Sequence, residues 1–448
     1  MKKNDVLTLK IEELNNLGYG VGFAGGKTVF VSGACDGDTA KVRIIKDNRT
    51  YAVGRAEEIL SPSPDRIAPA CPVSAACGGC AYASVSYAHE REIKRKTVEN
   101  ALRREGFSGI PVEAVVSDGR TEGYRNKAMI QLGVSPEGRI LSGFYAPKSH
   151  RIIPSSGCRL QPPLFSAIAD AAVSFLEENR KGEKAGAPLP IRCLYLRCAE
   201  SGDTSLVTVT RSEGIGEAKS LTAFLCGRFP SVTTSFYNVN NGEDSTVLGR
   251  ESVLLSGPGY LEDVLCGNRL KISPSAFYQV NRPMAERLYQ KGRELLSLTG
   301  KETLCDLYCG IGSIGLSMKG DFARLVGVEI VPDAVRCAAE NASANDVINA
   351  EFHCGDAGIL TQSLSLRPDA VILDPPRKGC SAALIEYLTD TLSPEKILYI
   401  SCNPATFARD ARIFCAHGYS FDRVYPFDLF PRTGHVETVV LITRTERK

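Results

Sequence analysis

A cysteine beside a proline turn follows an apolar segment near the carboxyl end of the chain. Cys402 lies in the tetrapeptide Ser-Cys-Asn-Pro at 401–404, directly after the apolar run 396–401. An Asp-Pro-Pro turn at 374–376 follows another apolar run in the same way and begins with Asp374. Proline restricts the backbone of both turns, so each holds a reactive side chain rigidly. A cysteine thiolate held in this way can act as the nucleophile of covalent catalysis.

The two turns together favour transfer of a methyl group to a carbon atom. Asp-Pro-Pro turns occur in enzymes that methylate planar nitrogen atoms, but a neighbouring cysteine indicates a carbon target. Carbon 5 of uracil is too weak a nucleophile to attack a sulfonium methyl group, whereas addition of a thiolate to carbon 6 makes carbon 5 carbanion-like. We therefore interpret Cys402 as a candidate nucleophile. The alternative is one more buried cysteine in a chain that has 16.

This chemistry also needs a base that removes the proton from carbon 5 before the thiolate leaves. Glu437 is the candidate, because it precedes the apolar run 439–442 and so lies at the boundary of a predicted strand. A surface carboxylate without a catalytic role is the alternative interpretation of this position.

A glycine-containing turn and two acidic residues indicate a nucleotide-type ligand. The turn at 306–312, Asp-Leu-Tyr-Cys-Gly-Ile-Gly, ends one predicted strand and opens a helix, whose N-terminus favours a polar or anionic group. Glu329 ends the next predicted strand, where an acid can accept hydrogen bonds from both ribose hydroxyls. Asp356 follows the third strand, and we expect it near an adenine edge. A fold of this type without a retained ligand is the alternative.

A separate group of cysteines has the composition of a metal-ligand set. Cys71, Cys77 and Cys80 are separated by five and two residues in a loop rich in small residues, glycine and proline. Such a loop does not need three core cysteines, and Cys158, in another loop, is the natural fourth ligand. Zinc and iron–sulfur clusters both bind thiolates, and the spacing does not distinguish them.

Strands and helices alternate from about residue 283 to the end of the chain. A helix at 283–298 is followed by five apolar runs, at 302–307, 324–329, 350–354, 370–374 and 396–401. Apolar strands separated by helices predict a mainly parallel, doubly wound sheet. Because ligands of such sheets bind at the carboxyl ends of the strands, the candidate residues should meet at one edge.

The first part of the chain has a different pattern. Short alternating runs with glycine punctuation over residues 5–59 predict a small β-barrel of about five strands, and Ser-Pro-Ser-Pro at 61–64 is a plausible linker. The middle of the chain, about 60–266, predicts a helix near 164–179 and neighbouring strands at 192–197 and 205–210.

Length and composition set broader bounds. A chain of 448 residues exceeds one ordinary core, so we expect two or three domains. An apolar run long enough for a membrane helix and a secretory leader are both missing from the sequence, which predicts a cytoplasmic protein without a membrane partner. The net charge of +2 does not by itself indicate a nucleic-acid partner, so any such partner must be bound by local basic patches. One basic segment, 89–104, is interpreted first as a solvated helix face.

Taken together, these motifs resemble the RNA uracil-5-methyltransferases, and in particular those that modify 23S ribosomal RNA. The resemblance extends over nearly the whole chain. It rests on the cysteine loop, the segment Phe-Tyr-Gln-Val-Asn at 277–281, the glycine turn, the Asp-Pro-Pro-Arg and Ser-Cys-Asn-Pro turns, and the ending His435-x-Glu437. No single motif is specific, but the combination is.

The resemblance implies a role for each candidate residue. Cys402 would be the nucleophile and Glu437 the proton acceptor. S-adenosylmethionine would be contacted by four residues: Gln279, Tyr308, Glu329 and Asp374. A 4Fe–4S cluster would be held by four cysteines: Cys71, Cys77, Cys80 and Cys158.

The resemblance also implies a multidomain α/β protein. Its parts would be an N-terminal TRAM barrel that binds RNA (1–59), a central α+β domain with the iron–sulfur cluster (60–89 and 121–266), and a Rossmann-like methyltransferase domain (90–120 and 267–448). The implied partner is RNA, most simply 23S ribosomal RNA, with no obligate protein partner. Related tRNA enzymes lack the barrel and the cluster, which favours ribosomal RNA. A tRNA uracil-5-methyltransferase and a non-catalytic RNA-binding assembly factor are the alternatives, and the number of target uridines, one or two, stays open.

Overall fold

The structure is a computed structural model of the protein. It describes residues 1–155, 157–180, 188–242, 247–364 and 366–445. Within these residues the strands form four sheets, of six, seven, two and eight strands.

The N-terminal sheet confirms the predicted strands and adds one short strand. Its six strands are β1 Val6–Lys10, β2 Glu13–Leu14, β3 Gly20–Ala24, β4 Lys27–Ser32, β5 Thr39–Asp47 and β6 Tyr51–Ser61. They lie in the order β1-β5-β6-β4-β3-β2. The backbone N–H of Glu12 donates to the carbonyl of Val21 at 2.8 Å, which brings the end of β1 against β3 and curls the sheet. Alternation along β4 and β5 buries Val29, Val31 and Val42 in the interior.

The middle of the chain is an open mixed sheet covered by two helices. Its strands are β7 Lys127–Val134, β8 Ile140–Tyr145, β9 Ile152–Pro154, β10 Ile191–Cys198, β11 Thr204–Thr210, β12 Val232–Val239 and β13 Ser252–Ser256. The order is β13-β12-β11-β10-β7-β8-β9, and β10 pairs with β11 as predicted. Helices Pro163–Asn179 and Ile215–Arg228 cover one face, where Phe165, Ile168 and Leu221 are fully buried. A 3₁₀ turn spans Ser212–Gly214.

The C-terminal third confirms the predicted doubly wound sheet. A hairpin, β14 Leu261–Leu265 and β15 Asn268–Ile272, precedes it. The sheet strands are β16 Thr303–Leu307, β17 Arg324–Glu329, β18 Ala350–Cys354, β19 Ala370–Leu373, β20 Lys396–Ser401, β21 Tyr419–Ser420, β22 Tyr425–Phe427 and β23 Glu437–Arg444. The order is β18-β17-β16-β19-β20-β23-β21, with β22 paired to β23. Strands β16 to β20 run parallel, and β23 enters antiparallel beside β20.

Helices cover both faces of this sheet. They span Arg282–Leu296, Ser313–Ser317, Pro332–Ala344, Ala357–Ser363, Ala382–Glu386 and Pro404–Ala416, and a π-helical turn spans Tyr387–Leu392. The helix predicted at 283–298 is the first of these. The described residues contain no helix long and apolar enough to cross a membrane.

The basic segment near residue 90 forms a long helix that leaves the cysteine loop and packs on the C-terminal sheet domain. A short helix, Ser74–Cys77, lies in the cysteine loop, and the long helix spans Tyr87–Arg104. The Ser86 hydroxyl caps the long helix by accepting from the backbone N–H of His89. Val98 and Leu102 pack in the same apolar cluster as Phe407. The interpretation of this segment as a solvated face is wrong for Lys94, which is fully buried.

Candidate active site

Parallel strands bring four of the candidate residues to one edge of the C-terminal sheet. Strand β16 lies between β17 and β19, and β19 lies beside β20. Tyr308, Glu329, Asp374 and Cys402 therefore lie at the carboxyl ends of four adjacent strands, as the sequence predicted. This edge is where doubly wound sheets bind their ligands.

The antiparallel strand β23 brings Glu437 to the same edge. Ser401, the last residue of β20, pairs with Thr438 of β23, and the Thr438 hydroxyl donates to the Ser401 carbonyl at 3.3 Å. Cys402 and Glu437 lie one residue beyond this pair on the two strands. The two side chains interact electrostatically, since negative charge on Glu437 raises the pKa of the Cys402 thiol.

Burial raises the pKa of three groups of the site: Cys402, Glu437 and Asp374. Repulsion by neighbouring negative charges adds to the shifts of Cys402 and Glu437. Burial, followed by the charges of Glu437 and Asp374, raises the pKa of Cys402 to about 11, while Arg377 opposes the shift. Burial and Asp374 raise the pKa of Glu437 to about 8. Burial alone raises the pKa of Asp374 to about 7. Such perturbed groups are typical of sites that move protons.

The glycine turn after β16 and the acid after β17 face each other. The backbone N–H of Gly310 donates to one carboxylate oxygen of Glu329 at 3.1 Å, and the N–H of Val331 donates to the other at 2.9 Å. Each oxygen keeps a lone pair that can accept from a ribose hydroxyl. The side chain of Ile330 is 62% exposed beside Glu329, an apolar surface on which a purine ring can lie. These residues fit an adenosyl group.

The structure gives less direct support for the other residues that were predicted to contact the ligand. Gln279 is buried, and its backbone carbonyl accepts from the Asn126 side chain at 3.0 Å. Tyr308 has a φ of 66°, a left-handed backbone that sets it at the sharp turn out of β16. Asp356 caps the following helix, since one of its carboxylate oxygens accepts from the backbone N–H groups of Gly358 and Ile359.

Two residues of this site received no role from the sequence. The Arg377 guanidinium donates to Nε2 of His435 at 3.2 Å. Burial, followed by the positive charges of Arg377, Lys94 and Arg125, lowers the pKa of His435 to about 4, so the neutral ring accepts this bond. Both residues lie within the quoted motifs, but they are 58 positions apart in the sequence, which gave no reason to pair them.

The four cysteines of the predicted ligand set lie close enough together for their charges to interact. Burial, and after it negative charge on Cys158, Cys77 and Cys71, raises the pKa of Cys80 to about 12. Gly78, with a φ of 65°, lets the loop approach Pro147, because an added Cβ would lie 2.3 Å from that ring. Four thiols suit a metal centre chemically. Among the described residues, however, no three side chains are arranged as ligands of one metal ion.

The sheet order, the glycine turn after β16 and the acid after β17 define a class: the S-adenosylmethionine-dependent methyltransferases. The sequence model described as tRNA (Uracil-5-)-methyltransferase matches residues 267–445, and the TRAM domain model matches residues 2–56. An uncharacterized RNA methyltransferase of Staphylococcus epidermidis is 36% identical over 100% of this chain and 99% of its own length. One of Clostridium tetani is 35% identical over 99% of this chain and 97% of its own length.

A solved structure is similar over the same span. The Pyrococcus abyssi tRNA (uracil-54, C5)-methyltransferase, in complex with S-adenosyl-L-homocysteine, has a TM-score of 0.75 and 25% identity, covering 97% of this chain and 99% of that one. The chain belongs to the RNA (uracil-5-)-methyltransferase family. It is an S-adenosylmethionine-dependent enzyme with an N-terminal TRAM domain, and RNA is its substrate.

Proposed function

We propose that this enzyme methylates carbon 5 of a uridine in 23S ribosomal RNA, with Cys402 as nucleophile and Glu437 as base. The observation that carries the proposal is the pairing of Ser401 with Thr438, since the two reactive side chains follow it on opposite strands at the ligand edge. The non-catalytic alternative, an RNA-binding assembly factor, has no use for a thiol and a buried carboxyl in this arrangement.

The proposed reaction begins with the thiol of Cys402. The thiol gives its proton to solvent, the thiolate sulfur forms a bond to carbon 6 of uracil, and the electron pair of the 5,6 double bond moves onto carbon 5 and the oxygen of the adjacent carbonyl at carbon 4. Carbon 5 then takes the methyl group that S-adenosylmethionine supplies. Glu437 removes the proton from carbon 5, the double bond forms again, and the bond from carbon 6 to sulfur breaks.

Side chains around the reacting atoms have supporting roles in this proposal. Gln279, Tyr308, Glu329 and Asp374 would hold the methyl donor. Arg377, oriented by the neutral ring of His435, presents a fixed positive charge toward Cys402 and favours the thiolate. The Asn403 side chain donates to the Arg377 carbonyl at 3.3 Å, which joins the two proline turns.

We also propose that Cys71, Cys77, Cys80 and Cys158 hold a 4Fe–4S cluster. The support is the gathering of four half-buried thiols from two loops. Four thiolates suit either an iron–sulfur cluster or zinc, and the resemblance in the cysteine loop favours the cluster. The reaction above has no electron-transfer step, so the proposed role of the cluster is structural.

A second candidate substrate is tRNA. The Pyrococcus abyssi relative, which is named a tRNA methyltransferase, aligns with 97% of this chain, so the barrel region does not by itself separate the two substrates. The resemblance in the cysteine loop supports ribosomal RNA. Methylation of isolated 23S fragments and of tRNA, both free of 5-methyluridine, would separate the candidates, and mapping 5-methyluridine in a deletion strain would identify the target.

The chemistry is tested with RNA that contains 5-fluorouridine. Fluorine at carbon 5 cannot be removed as a proton is, so the methylated adduct stays bound to Cys402 and survives a denaturing gel. Cys402→Ala should form no adduct, whereas Cys226→Ala, at a half-buried cysteine of helix Ile215–Arg228, should form it normally. An adduct with Cys402→Ala, or none with the unmodified enzyme in the presence of both candidate RNAs, would exclude the proposed mechanism.

A further inference from the structure

A buried arginine in the central sheet has no acidic partner among the described residues. Arg197, on β10, is 2% exposed. One terminal nitrogen of its guanidinium donates to the Tyr195 hydroxyl at 3.1 Å and to the Ala276 carbonyl at 2.9 Å. The other terminal nitrogen and Nε are buried without a hydrogen-bond partner. A buried cation without a counter-charge is costly, and an anion bound nearby would offset this cost.

Two further cations surround this group. Lys127 on β7 is the register partner of Arg197, and its ammonium lies 5.9 Å from the centre of the Tyr195 ring. Burial, followed by the charges of Arg197 and Arg125, lowers the pKa of Lys127 to about 8. The charges of Arg197 and Arg125 that act on Lys127 are both positive, and within the described parts of the chain no hydrogen bond reaches the free donors of Arg197. This group of three cations is therefore an unusual local concentration of positive charge in a chain whose net charge is only +2.

The group formed by Arg125, Lys127 and Arg197 borders the candidate active site. Arg197 bonds the carbonyl of Ala276, and Asn126, next to Lys127, bonds the carbonyl of Gln279. Between these positions Phe277 is 61% exposed. Arg125 is close enough to His435 for its charge to lower the pKa of that ring.

We propose that Arg125 and Lys127, with the charge of Arg197 buried behind them, form a binding site for a backbone phosphate of the RNA substrate, beside the uridine that reacts. The site rests on the proposed function, because its position matters only if the uridine lies near Cys402. A phosphodiester group fits better than the single carboxylate of the methyl donor, since an RNA strand brings consecutive anions to three converging cations. Contacts of this kind set the register of a strand without reading its bases.

The first test measures RNA affinity as a function of salt, in the Cys402→Ala background so that chemistry plays no part. Lys127→Gln should weaken binding about tenfold and reduce the slope of log affinity against log salt by about one. The matched control is Lys219→Gln, because Lys219 lies 5.4 Å from the Tyr237 ring on the same domain but has an exposed position on a helix. The control should leave both quantities unchanged.

A second measurement uses the enzyme with its own residues in place. An amine-acylating reagent at pH 8 should label Lys127, whose lowered pKa leaves much of it as free amine, and RNA should protect it several-fold. S-adenosylmethionine alone should not protect it. Protection by the methyl donor alone, or an unchanged salt slope in folded Lys127→Gln, would overturn the phosphate site. Loss of the 5-fluorouridine adduct with normal protection at Lys127 would instead count against the proposed reaction and leave the site standing.

Discussion

The ammonium nitrogen of Lys94 lies 2.7 Å from a carboxylate oxygen of Asp428, 334 residues further along the chain. The same nitrogen lies 2.7 Å from a carboxylate oxygen of Glu90 and 3.1 Å from the carbonyl of Phe430. All three charged side chains are buried. Helix Tyr87–Arg104 is thus joined by buried charges to the segment that leads into the proposed base.

This segment, 428–436, also contacts the cysteine loop and the barrel. The backbone N–H of Arg432 donates to Glu90 at 2.7 Å, and the N–H of Tyr82 donates to the Arg432 carbonyl at 3.0 Å. A Cβ added at Gly434 would lie 1.7 Å from the carbonyl oxygen of Asn16, so only glycine permits this approach of the barrel. Three parts of the chain therefore position the residues just before Glu437.

We predict that Lys94→Met destabilises the fold strongly. Removal of the ammonium leaves Glu90 and Asp428 as buried like charges, and breaking a buried pair in this way costs about 3–5 kcal/mol. Urea denaturation should show the loss as a lower midpoint. Lys96→Met, at an exposed position of the same helix, should change the midpoint little. Equal urea midpoints for Lys94→Met and Lys96→Met would show that Lys94 does not form these buried ion pairs.

Glu437→Gln should separate methyl transfer from product release. The amide cannot accept the proton from carbon 5, so methyl transfer to uridine RNA should proceed while a methylated covalent adduct accumulates. A denaturing gel with radiolabelled methyl donor measures this adduct. A variant that forms none, like Cys402→Ala, would assign Glu437 another role.

Glu437 also predicts a pH dependence for the release of methylated RNA. The pKa of Glu437 is raised to about 8, so below that pH the group is mostly protonated and cannot act as a base. Release of methylated RNA from the adduct should therefore accelerate as the pH rises toward 8 and level off above it. Single-turnover release measured from pH 6 to 9 gives the profile. A rate that falls over this range would contradict the assignment.

Residues that end predicted strands could be located from the sequence because local pattern determines them. Apolar runs and proline turns predicted Asp374 and Cys402 at strand ends, and parallel order then brings such ends together. The position of Glu437 beside Cys402 could not be derived in this way. It depends on β23 entering antiparallel beside β20, which no local pattern specifies.

The charged clusters were beyond sequence analysis for a related reason. Lys94 occurs in a run of basic residues, where helix periodicity alone does not show that its partner is Asp428. Arg197 and Lys127 become neighbours through the register of β10 against β7, 70 positions apart, and a pattern of alternating residues does not choose a partner strand. Tertiary contacts determine both environments.

The cysteine loop gives a prediction about metal content. Enzyme purified without oxygen should contain about four iron atoms and four sulfides per chain. Cys80→Ser should lose the cluster, lower stability by a few kcal/mol and weaken RNA binding, because the loop contacts the segment before Glu437. Affinity for S-adenosylmethionine should change little.

Cys226→Ser is the control for this experiment, because it removes a half-buried cysteine outside the loop. It should keep the iron. About one zinc atom per chain without iron or sulfide would refute the cluster, and methylation that requires a reductant would refute a purely structural role.

The Cys402 thiol should respond to the charge of the methyl donor. Its pKa of about 11 leaves it protonated near neutral pH, chiefly because burial disfavours the thiolate. Two opposite unit charges about 5 Å apart interact by about 3 kcal/mol at an effective dielectric constant of about 20, so a sulfonium bound beside Cys402 would lower the pKa of the thiol by up to about two units. Alkylation of Cys402 by iodoacetamide, followed by peptide mass spectrometry across pH, should therefore shift to lower pH with S-adenosylmethionine. S-adenosylhomocysteine, which lacks the charge but fills the same space, should cause no such shift, and neither ligand should alter alkylation of Cys226. Equal profiles with the two ligands would mean that the sulfonium does not activate the nucleophile, and that Arg377 or the RNA itself must supply the missing charge.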